Sequence, residues 1–186
     1  SDRFYQSCHA IILHLYINSL IMNEKQIQNY IWEKRESFAD LLVTPQFPKV
    51  KFENPAFASP SDVLYNMVID RYKKLWESIS DIGFFGCEVS LTEEGQSTMR
   101  TDFLANRCGD DGIVVIELKK SDQTARQAYT ELLAYGSYLR TKFTPMSGGD
   151  IIYVLISPIG ERIVEQATIN TLIYDNNKVC LLVPKY

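Results

Sequence analysis

The sequence predicts an α/β fold, a mixed central sheet flanked by helices, and three observations carry it. Short apolar runs at Ile113–Ile116, Ile151–Ser157 and Val179–Val183 have the length and composition of buried strands. Residues 124–142 and 161–174 carry apolar residues at helical spacing, and are long enough to cross over a sheet and return parallel. The connections at Glu93–Gln96 and Cys108–Gly112 are short and turn-like, which makes antiparallel pairs. The expected order is α-β-β-β-α-β-α-β behind an N-terminal helical extension, with right-handed crossovers and helices on both faces.

Taken in order, residues 4–22 hold Ile11, Ile12, Leu13, Leu15, Ile17, Leu20, Ile21 and Met22. The run is too short, and too interrupted by His9, His14, Asn18 and Ser19, for a membrane span of about 20 apolar residues. It also lacks the basic start and small-residue cleavage site of a signal peptide. It reads as a helix packed on the body or on a second copy, and so much apolar surface predicts a homodimer to which residues 4–42 contribute. Asn23 is the expected N-cap of one or two further helices reaching Leu42, with Ile27, Tyr30, Ile31, Phe38, Leu41 and Leu42 at helical spacing. Pro45, Pro48, Pro55 and Pro60 mark a loop. The expected division is 1–45 as the extension and 46–186 as an α/β domain, the two forming one compact unit.

Ser61–Ser80 reads as a helix capped by Ser59 or Ser61, with Pro60 at its entry and Asp62 in its first turn. Val63, Met67, Tyr72, Leu75, Trp76 and Ile79 form its expected apolar side. Arg71, Lys73 and Lys74 cluster on it, as a phosphate grip or a solvated face. Ile82–Thr92 is the expected first core strand, with Glu88 after its apolar part. Asp102 lies in a second strand-like run, Met99–Ala105. The strand at 113–116 continues into Glu117-Leu118-Lys119, where alternation puts Glu117 and Lys119 on one face and Leu118 on the other.

A hairpin through Cys108–Gly112 would bring Asp102 next to Glu117, so two carboxylates and one amine converge. Paired carboxylates repel unless a hard cation lies between them. Mg²⁺ takes a few carboxylate oxygens plus waters and substrate phosphate, and a lysine beside it can orient or deprotonate the attacking water. The chemistry that suits the trio is metal-assisted hydrolysis of a phosphodiester.

Asp102-x14-Glu117-x-Lys119 resembles the PD-(D/E)XK, or restriction-endonuclease-like, nuclease superfamily. In pattern it is closest to the archaeal mismatch and single-strand endonucleases and the RecB-like nucleases. The resemblance covers roughly residues 60–186 and includes the following helix, where Glu131 replaces a frequent Gln and Tyr135 is kept. It implies a restriction-endonuclease-like core and a deoxyribonuclease dependent on Mg²⁺ or Mn²⁺. Asp102, Glu117 and the Leu118 carbonyl would hold the metal, Lys119 would serve the water, and Glu88 would be the extra acid, with Asp70 or Glu77 as further candidates. Glu131 and Tyr135 would face Lys119, with a solvent-facing Glu131 as the alternative. Arg71, Lys73, Lys74, Arg100, Lys120 and Arg126 would meet the DNA. The alternatives are the same fold as a catalytically inactive DNA-binding or assembly module, and an unrelated interaction protein in which Glu117 and Lys119 are solvated.

Bulk properties limit the choices. At 186 residues, 46% hydrophobic and 23% charged, the chain is an ordinary globular sequence. A formal net charge of -4 means that nucleic acid must be met by a local basic patch. Cys8, Cys87, Cys108 and Cys180 show no C-x-x-C spacing, so neither zinc nor a disulfide framework is signalled. Cys108 and Cys180 are expected as buried free thiols, and the location as intracellular, in the cytoplasm.

Overall fold

Seven strands form one mixed sheet in the computed structural model. It describes residues 13–17, 22–47, 59–91, 99–109, 112–119, 122–143, 150–158, 167–168, 170–172 and 175–185, the side chains of 122–126 excepted. The strands are β1 (Leu13–Tyr16), β2 (Leu42–Val43), β3 (Ile82–Ser90), β4 (Arg100–Arg107), β5 (Ile113–Leu118), β6 (Ile151–Ile156) and β7 (Lys178–Lys185). The helices are α1 (Glu24–Glu33), the single turn α2 (Phe38–Leu41), α3 (Pro60–Ile79) and α4 (Asp122–Lys142). The sheet order is β2-β1-β7-β6-β5-β4-β3. As the connection lengths predict, β3–β4 and β4–β5 are antiparallel, and β5–β6 and β6–β7 are parallel. Of the expected helix at 161–174, residues 167–168 and 170–172 are helical, and 161–166, 169 and 173–174 lie outside the described residues.

Both faces of the sheet are covered. Val114, Ile116 and Leu118 of β5 pack with Ile27 and Ile31 of α1 and with Val68, Tyr72 and Ile79 of α3. Val115 faces the other way, toward Leu132, Tyr135 and Leu139 of α4. All six residues of β6 are buried, as a strand sandwiched between two helical layers must be. At α4 the approach is close: a Cβ on Gly136 would run into the ring and hydroxyl of Tyr153, whose side chain is fully buried and cannot swing aside. Gly136→Ala is therefore expected to destabilise the fold by about 1–3 kcal/mol, measured by thermal unfolding.

Both expected caps form. Asn23 and Gln26 make a reciprocal capping box at α1, and Ser59 caps α3 with Pro60 in its first turn. The buried stripe of α3 differs from the expected one: Tyr65, Val68, Ile69, Tyr72, Leu75 and Ile79 face the sheet, while Val63 and Met67 are exposed. These six follow three- and four-residue steps, and Val63 and Met67 fall outside that stripe.

Two further expectations are corrected. Within 4–22, residues 13–16 form a strand and not a helix; 4–12 and 18–21 lie outside the described residues. β1 pairs parallel with β7 and antiparallel with β2, so strands from both sides of the expected 45/46 division share one sheet. Leu13, Leu15 and Ile17 are buried while Tyr16 is exposed, which is period two. Leu13, Leu15 and Ile17 are taken up by the chain's own core, while Ile11, Ile12, Leu20 and Ile21, which also led to the expectation of a second copy, lie outside the described residues. The other correction is Cys108, which lies exposed at the β4–β5 turn, whereas Cys180 is buried as expected and Cys8 lies outside the described residues. Among the described residues no helix is long and apolar enough to cross a membrane.

Candidate active site at the ends of strands β4 and β5

The β4–β5 ladder runs from Asn106–Ile113 to Phe103–Ile116 and then changes character. Side chains of β4 take over as partners of the β5 backbone. The Thr101 hydroxyl donates to the Ile116 carbonyl at 3.2 Å, and the Leu118 N–H donates to Asp102 Oδ2 at 2.7 Å. An N–H on a carboxylate is a charge-assisted bond, stronger than the ladder bond it replaces. Asp102 Oδ1 accepts from Gln28 Nε2 of α1 at 3.0 Å.

Glu117 shares the α4 side of β5 with Val115, and its side chain is 5% exposed. Its Oε1 accepts from Lys119 Nζ at 2.7 Å, while its Oε2 is buried with no hydrogen-bond partner. Lys119 Nζ also lies 3.0 Å from Glu131 Oε2 on α4, so this ammonium sits between two carboxylates. Glu131 Oε1 accepts from Gln127 one turn earlier. Tyr135 follows one turn later and is buried. Burial and then the charges of Glu117 and Glu131 push its hydroxyl up to about 12.

The electrostatics follow from this geometry. Burial, then the Asp102 charge, raises the Glu117 carboxyl to about 7, against the opposing pull of Lys119. Burial also raises Asp102, and the Leu118 N–H and Lys119 counter part of that rise. At Lys119 burial favours the neutral amine, but the hydrogen bonds and charges of Glu117 and Glu131 outweigh it and hold the group above its ordinary value. Lys119 therefore stays an ammonium near neutral pH. It can donate hydrogen bonds and offset charge, and it is not a base in this arrangement.

Glu88 lies on β3 between Cys87 and Val89, which pair with Phe103 and Thr101 on either side of Asp102. Its backbone is in the left-handed region (φ 51°), rare for a residue with a side chain. Its carboxylate pairs with Lys25 and lies 3.4 Å from Arg100. The Lys25 hydrogen bond and charge keep it below the usual carboxylate range. Asn23, Glu24, Lys25, Gln28, Glu88 and Asp102 line an open cavity of about 380 Å³.

Asp102, Glu117, Lys119, Glu131, Tyr135, Glu88, Arg100 and the Leu118 backbone thus gather at one end of β4 and β5. The α3 group does not join them. Arg71 and Lys74 line a separate cavity of about 250 Å³ with Lys178, at the start of β7. Arg71 donates to the Leu172 carbonyl, Lys74 pairs with Asp70 at 2.8 Å, and Lys73 lies over the Phe47 ring. Asp70 and Glu77 on α3 are likewise not among the residues around Asp102. Lys120 lies outside the described residues, as does the Arg126 side chain. The sequence reading missed Gln28, Lys25 and Glu24, which reach Asp102 and Glu88 from α1; no local signal marks such distant partners.

Among the described residues no three His, Cys, Asp or Glu side chains stand together as a metal-holding group. The donors on hand for a cation are two carboxylates. The partnerless buried Glu117 Oε2 is a hard oxygen on a carboxyl that burial and the Asp102 charge raise toward the neutral form. That fits a hard divalent ion which keeps most of its waters.

No family model matches the chain, and no curated protein is similar to it. Among solved structures it is similar to a repair endonuclease from Pyrococcus abyssi, at 16% identity over 69% of this chain and 48% of that one, with a TM-score of 0.36. The chain spans about half the length of that structure.

Proposed function

We propose that the chain is a divalent-metal-dependent nuclease that hydrolyses phosphodiester bonds of DNA. The observation that carries the reading is the half-buried Asp102 and the buried Glu117, with Lys119 beside them, at the parted ends of β4 and β5. Asp102 and Glu117, with the Leu118 carbonyl, would hold Mg²⁺ or Mn²⁺. When bound, the cation would supply a Lewis acid at the scissile phosphate and acidify a water. The chain's own residues then have distinct parts. The Leu118 N–H holds Asp102 as a carboxylate in one orientation. Glu131 and Glu117 hold the Lys119 ammonium where it can orient the attacking water or meet charge that develops on the phosphate. Arg100 and Lys25, both more than half exposed and both paired with Glu88, are the cations that would meet a DNA backbone on this side of the site.

The test is cleavage of labelled linear, circular and branched DNA with Mg²⁺, Mn²⁺ or EDTA, alongside calorimetric titration with Mn²⁺. Wild-type protein is expected to bind Mn²⁺ and to cut only with the cation. Asp102→Asn is expected to lose both, because the neutral amide is a far weaker hard-ion donor. Equal binding by the variant would count against this site. A catalytically inactive nuclease-fold module that binds DNA is the second reading, favoured by the lack of a three-residue metal group among the described residues. DNA binding without cleavage under any of these conditions would select it.

A further inference from the structure

We propose that Gln28 of α1 is a positioning residue for Asp102, so that the N-terminal helix completes the site built by β4 and β5. The role deepens the metal-dependent reading above and rests on it. Gln28 is a polar side chain only 3% exposed, and an amide so buried must find partners at both ends. Its Nε2 donates to Asp102 Oδ1 at 3.0 Å, and its Oε1 accepts from Lys25 Nζ at 2.9 Å. The two neighbours also fix which way the amide points. An ammonium can only donate and a carboxylate only accept, so the oxygen must face Lys25 and the NH₂ must face Asp102. Lys25 is tied in turn to Glu88 on β3, so a continuous polar chain runs Glu88–Lys25–Gln28–Asp102.

The helix that carries Gln28 is itself held in place. Ile27 and Ile31 are buried against the sheet, and Trp32 stacks on Phe103, the residue after Asp102, with centroids 6.4 Å apart and ring planes within 13°. With Leu118 N–H on one oxygen of Asp102 and Gln28 on the other, each oxygen has one donor and a lone pair left. The carboxylate plane is fixed while it can still bind a cation. Without the amide, Asp102 would keep one donor and could rotate about its last torsion, and a ligand that must be reordered on binding is a weaker one.

Gln28→Leu keeps nearly the same volume and removes both polar ends. The expected result is a roughly tenfold weaker Mn²⁺ dissociation constant by calorimetry. For cleavage, kcat should fall more than KM for DNA changes, since the variant misplaces a metal ligand while Lys25 keeps its pairing with Glu88. A second readout uses the intact site: the side-chain amide signals of Gln28 in an NMR spectrum, assigned by their loss in Gln28→Leu. They should move in Asp102→Asn, and in wild type on addition of Mg²⁺. A Gln28→Leu protein with wild-type Mn²⁺ affinity would overturn the role, and so would Gln28 amide signals that stay in place in Asp102→Asn. Should wild type neither bind Mn²⁺ nor cut DNA, the nuclease reading fails on its own. The Asp102→Asn spectrum still decides whether Gln28 holds Asp102.

Discussion

Replacing Lys119 by alanine is expected to lower DNA cleavage by about a thousandfold, the scale of losing one preorganised group that meets transition-state charge, while Mn²⁺ binding survives. On the proposed reading the two effects separate, because Lys119 would compete with the cation as well as serve the substrate. Its ammonium occupies Glu117 Oε1 and sits 3.0 Å from Glu131. Without it, the Glu117 carboxyl has less to offset its charge and holds its proton to higher pH, so a divalent ion should still bind once the pH is high enough to remove that proton. Chemistry should collapse, since the described residues around Glu117 offer no second ammonium to orient a water or to face a phosphate oxygen. Single-turnover cleavage and calorimetry on the same preparation read both quantities. A variant that cuts at the wild-type rate would show that Lys119 only balances charge.

The other large effect is expected at Glu117. Its carboxyl is raised from the ordinary 4.5 to about 7 by burial and by Asp102. Between those values the folded protein holds a proton that the unfolded chain has released. Stability is therefore expected to fall as pH rises from about 4.5 to about 7, and to stay low above that. At 1.36 kcal/mol per pKa unit the ceiling on this loss is about 3 kcal/mol. Glu117→Gln removes the buried charge, so it should raise the unfolding temperature of the cation-free protein above pH 7 by several degrees. It should also abolish Mn²⁺ binding and cleavage.

In wild type, the same proton must leave before a cation can bind. Mn²⁺ affinity should climb with pH up to about 7 and level off above it, and calorimetry in buffers of different ionisation heat should show proton release. A pH-independent affinity, or a Glu117→Gln protein less stable than wild type at pH 8, would contradict the buried-carboxylate account. Like the Glu131 pairing, the burial of Glu117 arises from packing α4 over the end of β5.

Much of this arrangement was legible in the residues themselves, because the signals involved are local. β5, β6 and β7 announce themselves as short apolar runs, α3 as helical spacing with a cap at Ser59, and α4 as helical spacing. Asn23 with Gln26 marks the start of α1. The alternation Glu117-Leu118-Lys119 already places the carboxylate and the amine on one face. The short Cys108–Gly112 turn already implies that β4 returns beside β5, with Asp102 near its far end.

Tertiary structure decided what depends on partners distant in sequence or on burial. β1 carries a clear period-two pattern at Leu13, Leu15 and Ile17. The apolar residues around it mask that pattern, and its partner β7 begins at residue 178, so only folding shows that it is a strand. Gln28 meets Asp102 from 74 positions away and Lys25 meets Glu88 from 63, separations over which no periodicity carries information. Only folding shows that the α3 basic cluster packs with Arg71 and Lys74 beside Lys178, in a cavity that shares no residue with the one at Asp102. Whether Lys119 is a base or an ammonium was open in the sequence. Burial favours the amine and the two flanking carboxylates outweigh it, and that balance exists only once β5 and α4 are packed together.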